Sequence, residues 1–124
     1  LELLYEEATK SVLPLLKPGT TLAAGDVGVL GYFTNAKILD TVGLNSPETL
    51  KYYPLDENLY SINYAVAPQL ILDEKPELLV ILEVYGREGL LKNVNFLQDY
   101  ELINKLETDI YSSDGMLVFK RRNL

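Results

Sequence analysis

The feature that most constrains the fold is a run of branched apolar residues, Leu78-Leu79-Val80-Ile81-Leu82, which ends at Glu83. A strand with one face in water alternates apolar and polar residues, whereas an unbroken run is typical of a strand covered on both faces. Because helices on the two sides of a parallel sheet supply that cover, the run indicates an α/β domain. It is also far shorter than the ~20 apolar residues that cross a bilayer.

The other patterns along the chain predict an alternating order of helices and strands. We expect strands over residues 20–25, 37–42 and 77–85, and helices over residues 1–17, 27–33, 46–53, 59–72 and 96–106. Two short strands, 108–111 and 116–120, flank a Ser-Ser-Asp-Gly turn and predict a hairpin. Together these elements predict a three-layer α/β fold. It has a mostly parallel sheet of about five strands, helices on both faces and a C-terminal antiparallel hairpin.

The size and charge of the chain restrict its function. A length of 124 residues fits a single domain over residues 1–124. The net charge of −7 comes from 11 basic and 18 acidic residues and would repel a phosphate backbone, so we expect no nucleic-acid partner. The chain has no cysteine and no histidine, which excludes a thiol nucleophile, a Cys/His zinc site and an imidazole base within it. We predict no cofactor.

The start of the chain is unusual. It begins at Leu1, directly in a helical pattern, and no signal-type segment precedes it. We therefore expect a piece of a longer or processed protein.

The densest motif follows the first predicted strand and opens a helix, and its sequence is Gly25-Asp26-Val27-Gly28-Val29-Leu30-Gly31-Tyr32. Dinucleotide and phosphate loops occur at such positions, but the spacing matches neither the dinucleotide fingerprint nor the P-loop. Two interpretations remain open: a ligand loop, with Asp26, Gly28 and Tyr32 as contacts, or a capped tight turn that brings helix and strand close together.

Two carboxylates end successive predicted strands. If those strands are parallel neighbours, Asp26 and Asp40 lie at the carboxyl edge of the sheet, where open α/β sheets bind ligands. Such a pair suits acid–base chemistry or a divalent cation, and the alternative is that each carboxylate caps the turn after its strand. No third ligand is indicated, so we predict no metal site.

Beyond the third predicted strand, Tyr85 and Arg87 reach the same edge. Arg87 either clamps an anionic ligand or, as we favour, pairs with an acid such as Asp26, Asp40 or Glu88. The chain also contains nine tyrosines, many of them near the middle. They suit sugar stacking or a protein contact, or they are half-buried residues at helix edges.

Two motifs carry a family resemblance, the loop from Gly25 to Tyr32 and the stretch Ile38-Leu39-Asp40-Thr41-Val42-Gly43-Leu44-Asn45-Ser46-Pro47. Together they resemble a GDxGxxGY … DxxGL pattern of bacterial membrane glycosyltransferases. These enzymes belong to the dolichyl-phosphate-mannose protein mannosyltransferase-like group with the GT-C architecture. The close match covers residues 24–47, and its signature positions are Asp26, Gly28, Gly31, Tyr32, Asp40 and Gly43.

The resemblance implies a soluble extracytoplasmic domain attached to a membrane-embedded part of the same chain. Because the catalytic acid of that group lies in the membrane part, it implies no catalytic residue here. Our first hypothesis is a non-catalytic domain of a membrane glycosyltransferase that helps to bind a glycan acceptor or a polyprenyl-phosphate sugar donor. The second is a small-ligand-binding α/β module whose site at the strand edge uses Asp26, Gly28, Tyr32, Asp40, Tyr85 and Arg87. The third is a carboxylate-dependent hydrolase.

Overall fold

The computed structural model describes residues 2–25, 37–42 and 47–123. Its helices are α1 (Glu2–Val12), α2 (Pro47–Leu50), α3 (Pro68–Glu74) and α4 (Val94–Asp99). Its strands are β1 (Thr21–Ala24), β2 (Lys37–Asp40), β3 (Leu78–Leu82), β4 (Tyr100–Leu106) and β5 (Met116–Arg121). Short 3-10 turns connect several of these elements. None of the helices in this described part is both long and apolar enough to cross a membrane.

The strands form one sheet in the order β2-β1-β3-β5-β4. Strand β1 pairs in parallel with β2 and with β3, whereas β5 pairs antiparallel with β3 and with β4. The predicted α/β class and the sheet of five strands are confirmed. The sheet is mixed, however, and its C-terminal half is antiparallel, so the prediction of a mostly parallel sheet holds only for the first three strands.

The apolar run that forms β3 is buried along its whole length, as its sequence predicts. Its odd-numbered residues belong to a core cluster that includes Leu70 of α3 and Phe96 of α4. Its even-numbered residues belong to a second cluster that includes Tyr5 and Ala8 of α1. Because side chains alternate across a strand, the run contributes to two cores at once.

Prolines determine where several helices differ from the sequence prediction. The first helix ends at Val12, and Pro14 lies in a 3-10 turn, Leu13–Leu15, because proline cannot donate the next helical hydrogen bond. The helix predicted over 59–72 begins only at Pro68, which is suited to a first helical turn. Helix α2 ends at Leu50, earlier than predicted. The helix predicted over 27–33 lies outside the described residues.

The largest error concerns the helix predicted over residues 96–106. Helix α4 ends at Asp99, and the residues after it form edge strand β4. A register shift between Leu102 and Asn104 breaks the two-residue alternation of this strand, so its apolar residues recur at a helix-like spacing. The hairpin partner of β5 is therefore β4, and the strand predicted over 108–111 is wrong, since that segment is a turn. The strand predicted over 116–120 is confirmed as β5.

Candidate ligand-binding site

The carboxyl ends of β1, β2 and β3 meet at one edge of the sheet because the three strands are parallel. Strand β2 lies on one side of β1, and the strands that follow β3 lie on the far side of β3. The crevice between the ends of β1 and β3 is therefore a topological switch point. Open α/β sheets bind their ligands in such a crevice.

A cavity of about 750 Å³ opens at this edge. Its wall contains one residue that follows each parallel strand: Gly25 after β1, Val42 after β2 and Tyr85 after β3. The other described lining residues are Tyr5, Ile62, Asn63, Tyr64, Tyr111 and Ser112. The described part of this lining contains four tyrosines and no charged side chain. Its chemistry suits a neutral ligand that presents both apolar and hydroxyl-bearing surface.

Three half-buried tyrosine rings and one exposed ring form a row that ends at the surface, which we call the tyrosine row: Tyr53, Tyr64, Tyr85 and Tyr111. The ring centroids of Tyr53 and Tyr64 lie 6.2 Å apart in a stacked arrangement. Tyr64 and Tyr85 meet edge to face at 4.9 Å, and the ring of Tyr85 lies 6.5 Å from that of Tyr111. The row ends in water, since Tyr111 is 56% exposed.

The hydroxyls at the inner end of the row are bonded to the backbone. The Tyr64 oxygen lies 2.8 Å from the Thr41 carbonyl oxygen, and the Tyr53 oxygen lies 3.0 Å from the same carbonyl. The Tyr53 oxygen also accepts the Ala67 N–H at 3.0 Å. Burial raises the pKa of both phenols, so they stay neutral. These bonds fix the segment around Tyr64 against the end of β2.

The outer end of the row is open by comparison. Among the described residues, no group hydrogen-bonds to the phenol oxygens of Tyr85 and Tyr111. The backbone carbonyl of Tyr85 accepts the Val66 N–H at 2.9 Å, which ties the turn after β3 to the segment that carries Tyr64. Burial raises the pKa of the Tyr85 phenol, with a smaller contribution from Tyr111, and keeps it a neutral donor. The two outer rings can therefore offer both a face and a hydroxyl.

Asp40 is at the predicted edge and is 2% exposed. Its Oδ1 accepts the Val42 N–H at 2.9 Å, and its carbonyl accepts the Thr49 hydroxyl at 2.7 Å. The carboxylate thus caps the turn after β2, which is the second of the two alternatives for this residue. The other candidates Asp26, Gly28 and Tyr32 lie outside the described residues, so an Asp26–Asp40 pair stays a prediction. Acidic side chains in the described ranges form no cluster of three that could hold a metal ion.

Arg87 forms an ion pair, as we favoured, but with a different partner. Its Nε and Nη2 donate to the two carboxylate oxygens of Glu83 at 2.8 and 2.6 Å, and Nη2 also donates to the Ser112 carbonyl at 2.9 Å. Glu88 instead pairs with Lys92. Glu83 was missed in the sequence although it precedes Arg87 by four residues, a spacing that brings side chains together in a helical turn.

Of this wall, the sequence patterns predict Tyr85 for the site and include Tyr64 among the tyrosines near the middle of the chain, but they do not indicate Asn63, Tyr111 or Ser112. Tyr111 was assigned to a strand of the predicted hairpin, whereas it lies in the turn before β5. Because β5 runs antiparallel to β3, its first residue lies at the edge where β3 ends. The antiparallel direction of β5 therefore brings residues 110–115 to the site. That direction is the sequence signal from which their position could have been predicted.

The fold and this edge define a class: α/β domains with a mixed five-stranded sheet and a cavity at the carboxyl ends of the parallel strands. The chain belongs to a family described as a domain of unknown function, DUF8728, whose profile matches residues 5–119. That range contains every described residue of the cavity wall. No curated protein and no solved structure matches the chain.

Proposed function

We propose that this domain is non-catalytic and binds a neutral carbohydrate in the cavity at the carboxyl edge of β1, β2 and β3. The observation that carries the proposal is the described wall of four tyrosines without a charged side chain. Tyrosine combines an apolar ring with a hydroxyl, which matches the apolar face and hydroxyl edge of a sugar. The volume of about 750 Å³ lies within the ~300–1,000 Å³ range of small-ligand sites.

The resemblance in residues 24–47 supports a cellular location for this binding, on the extracytoplasmic side of a membrane. In that interpretation the chain is an extracytoplasmic domain, and the membrane-embedded part of the same protein performs glycosyl transfer. The ligand is then a glycan acceptor or the sugar of a polyprenyl-phosphate donor. The cavity favours the sugar over the phosphate as the recognised group, because the Arg87 guanidinium is already bound to Glu83.

We also propose the three-layer arrangement in which α1 covers one face of the sheet and α3 and α4 cover the other. The two core clusters support it. One contains the odd-numbered residues of β3 with Leu70 and Phe96, and the other contains its even-numbered residues with Tyr5 and Ala8.

A small-ligand-binding module without a membrane enzyme is the second candidate, because the same cavity would serve it. A carboxylate-dependent hydrolase has less support, since Asp40 Oδ1 is engaged with the Val42 amide.

Isothermal calorimetry with mannobiose, cellobiose and diacetylchitobiose tests the proposed function. We expect at least one of these sugars to bind, and we expect Tyr85→Ala to abolish the heat of binding. Tyr52→Ala is the matched control, because the Tyr52 hydroxyl bonds to Asp73 and lies outside the described cavity wall. Absence of binding to all three sugars, or equal loss in both variants, would overturn carbohydrate binding in this cavity.

A further inference from the structure

The segment before β5 has an unusual backbone where it borders the cavity. Tyr111 and Ser112 have φ angles of 55° and 63°, in the left-handed region that residues other than glycine seldom adopt. Such a conformation is unfavourable for a residue with a side chain and persists where the surroundings hold it. Two such residues in succession indicate that the segment is held in place by its neighbours.

One ion pair holds this segment at two points. Arg87 Nη2 donates to the Ser112 carbonyl at 2.9 Å, and Glu83 Oε1 accepts the Asp114 N–H at 2.9 Å. The bidentate bond between Glu83 and Arg87 fixes the two side chains to each other. The turn after β3 therefore supplies one hydrogen-bond donor and one hydrogen-bond acceptor that hold the segment before β5.

Further bonds join the same two segments. The Ser113 hydroxyl accepts the Val84 N–H at 3.1 Å and lies 2.9 Å from the Gly115 carbonyl oxygen. The Glu83 N–H donates to that same carbonyl at 2.9 Å. These contacts place Tyr111 beside Tyr85, the residue that the turn after β3 carries into the cavity wall.

We propose that the Glu83–Arg87 ion pair positions Tyr111 as the outer wall of the cavity, so that the ligand binds against the rings of Tyr85 and Tyr111. The inference rests on the proposed function and names the residues that set the shape of its site. Arg87 is a positioning residue in this account, because its Nε and Nη2 are bound to Glu83 and Ser112. Preorganised contacts of this kind favour affinity because less ordering is needed on binding.

The neighbouring ion pair between Glu88 and Lys92 provides a matched control. It has the same four-residue spacing, but its side chains are 36% and 67% exposed, against 15% and 38% for Glu83 and Arg87. Lys92 lies outside the described cavity wall. Lys92→Met therefore removes an ion pair near the site without releasing the segment that carries Tyr111.

The test begins with the ligand-free chain. We expect Arg87→Met to remove the ring-to-ring nuclear Overhauser effect between Tyr85 and Tyr111 and to speed exchange of the Asp114 amide. Lys92→Met should change neither signal. If Arg87→Met fails to fold, Arg87→Lys keeps the charge but loses the bidentate geometry, and it should give the same changes in weaker form. Unchanged signals in Arg87→Met, or in a folded Arg87→Lys, would overturn the positioning role.

Sugar binding then separates positioning from direct contact. For a sugar that wild-type protein binds, we expect Arg87→Met to weaken affinity about tenfold and Lys92→Met to leave it unchanged. In a Tyr111→Ala background, Arg87→Met should cause no further loss. An additive loss in the double variant would show that Arg87 contacts the ligand itself and would overturn the proposal. If no sugar binds wild-type protein, the proposed function fails, and the ligand-free signals still decide whether the ion pair positions Tyr111.

Discussion

Two groups of aromatic rings in this domain have similar ring contacts but differ in how far they are exposed to solvent. The first group, which we call the dry cluster, consists of Phe96, Tyr100 and Phe119. The ring of Phe96 lies 4.9 Å from that of Tyr100 and 5.0 Å from that of Phe119, measured between centroids, and none of the three residues is more than 5% exposed. The tyrosine row has centroid distances of 4.9–6.5 Å but runs outward to Tyr111, which is 56% exposed. Ring packing alone therefore does not distinguish a core from a site.

The hydroxyls make the distinction clear. In the dry cluster the only hydroxyl belongs to Tyr100, which is buried and donates to the Pro76 carbonyl, and burial raises its pKa. In the tyrosine row the inner hydroxyls of Tyr53 and Tyr64 are similarly bonded, while the outer rings border the cavity. We therefore expect the dry cluster to contribute stability and, under the proposed function, the outer half of the row to contribute binding.

The largest expected effect is in the dry cluster. Phe96→Ala removes a ring that is 0% exposed, and we expect the free energy of unfolding to fall by about 3–5 kcal/mol. Leu97→Ala is the control, since that side chain is 44% exposed and its loss should cost within about 0.5 kcal/mol. Urea unfolding measures both. A loss below about 1 kcal/mol for Phe96→Ala would mean that this cluster is not a packed core.

A smaller effect is expected at the inner end of the tyrosine row. Tyr53→Phe removes the hydroxyl that lies near the Thr41 and Ala65 carbonyls and accepts the Ala67 N–H. Leaving these part-buried groups unpaired should cost about 1–3 kcal/mol of unfolding free energy. Tyr52→Phe should cost much less, because its partner Asp73 is exposed and regains water. Equal costs in thermal or urea unfolding would contradict the assignment of Tyr53 to a part-buried hydrogen-bond network.

Alanine at two glycines compares the spare volume at the cavity wall with that in the turn before β5. A methyl group on Gly25 would meet its nearest atom, Thr41 Oγ1, at 3.6 Å, which is an ordinary contact. We expect Gly25→Ala to change stability by less than about 0.5 kcal/mol but to weaken sugar binding, because the methyl group enters the cavity. Gly115 has a φ of +123°, and a methyl group there would lie 3.0 Å from the Leu106 carbonyl oxygen. Gly115→Ala should therefore lower the free energy of unfolding by more than about 1 kcal/mol. A larger loss for Gly25→Ala than for Gly115→Ala in urea unfolding would contradict this prediction.

The smallest effect concerns pH at the outer end of the row. Hydrogen bonds from Arg87, with a smaller contribution from the Asp114 N–H, hold the pKa of the Glu83 carboxyl below its usual value. The stability that this carboxylate adds is therefore present above the usual glutamate pKa and is lost as pH falls through the lowered one. Carbon-13 titration of Glu83 should show the lowered pKa, and Arg87→Met should raise it. A Glu83 pKa that is unchanged by Arg87→Met would contradict the ion pair in solution.

The two regions also differ in how well sequence reasoning predicted them. The run from Leu78 to Leu82 predicts its strand because burial on both faces leaves only apolar residues. The helix prediction over residues 96–106 failed because β4 is an edge strand with exposed Leu102 and Ile103 and an irregular register. Exposure removes the alternation that identifies a strand, and only the pairing with β5 determines its conformation.

Only part of the site could be predicted from the sequence, because the rest depends on strand pairing and on a turn. Asp40 ends β2 and Tyr85 follows β3, so the common direction of these parallel strands predicts their position at one edge. Tyr111 reaches that edge through the reversed direction of β5, which depends on the pairing of β5 with β3. Glu83, rather than Asp40 or Glu88, pairs with Arg87 because a tight turn follows β3, and residue types alone do not specify that turn.

The most direct test of carbohydrate binding is a filtered nuclear Overhauser experiment on isotope-labelled protein with unlabelled mannobiose, cellobiose or diacetylchitobiose. We expect contacts between the C–H protons of the bound sugar and the rings of Tyr85 and Tyr111. We expect no contacts with the rings of the dry cluster. Sugar contacts confined to other residues, or none at saturating sugar, would contradict a carbohydrate site at Tyr85 and Tyr111.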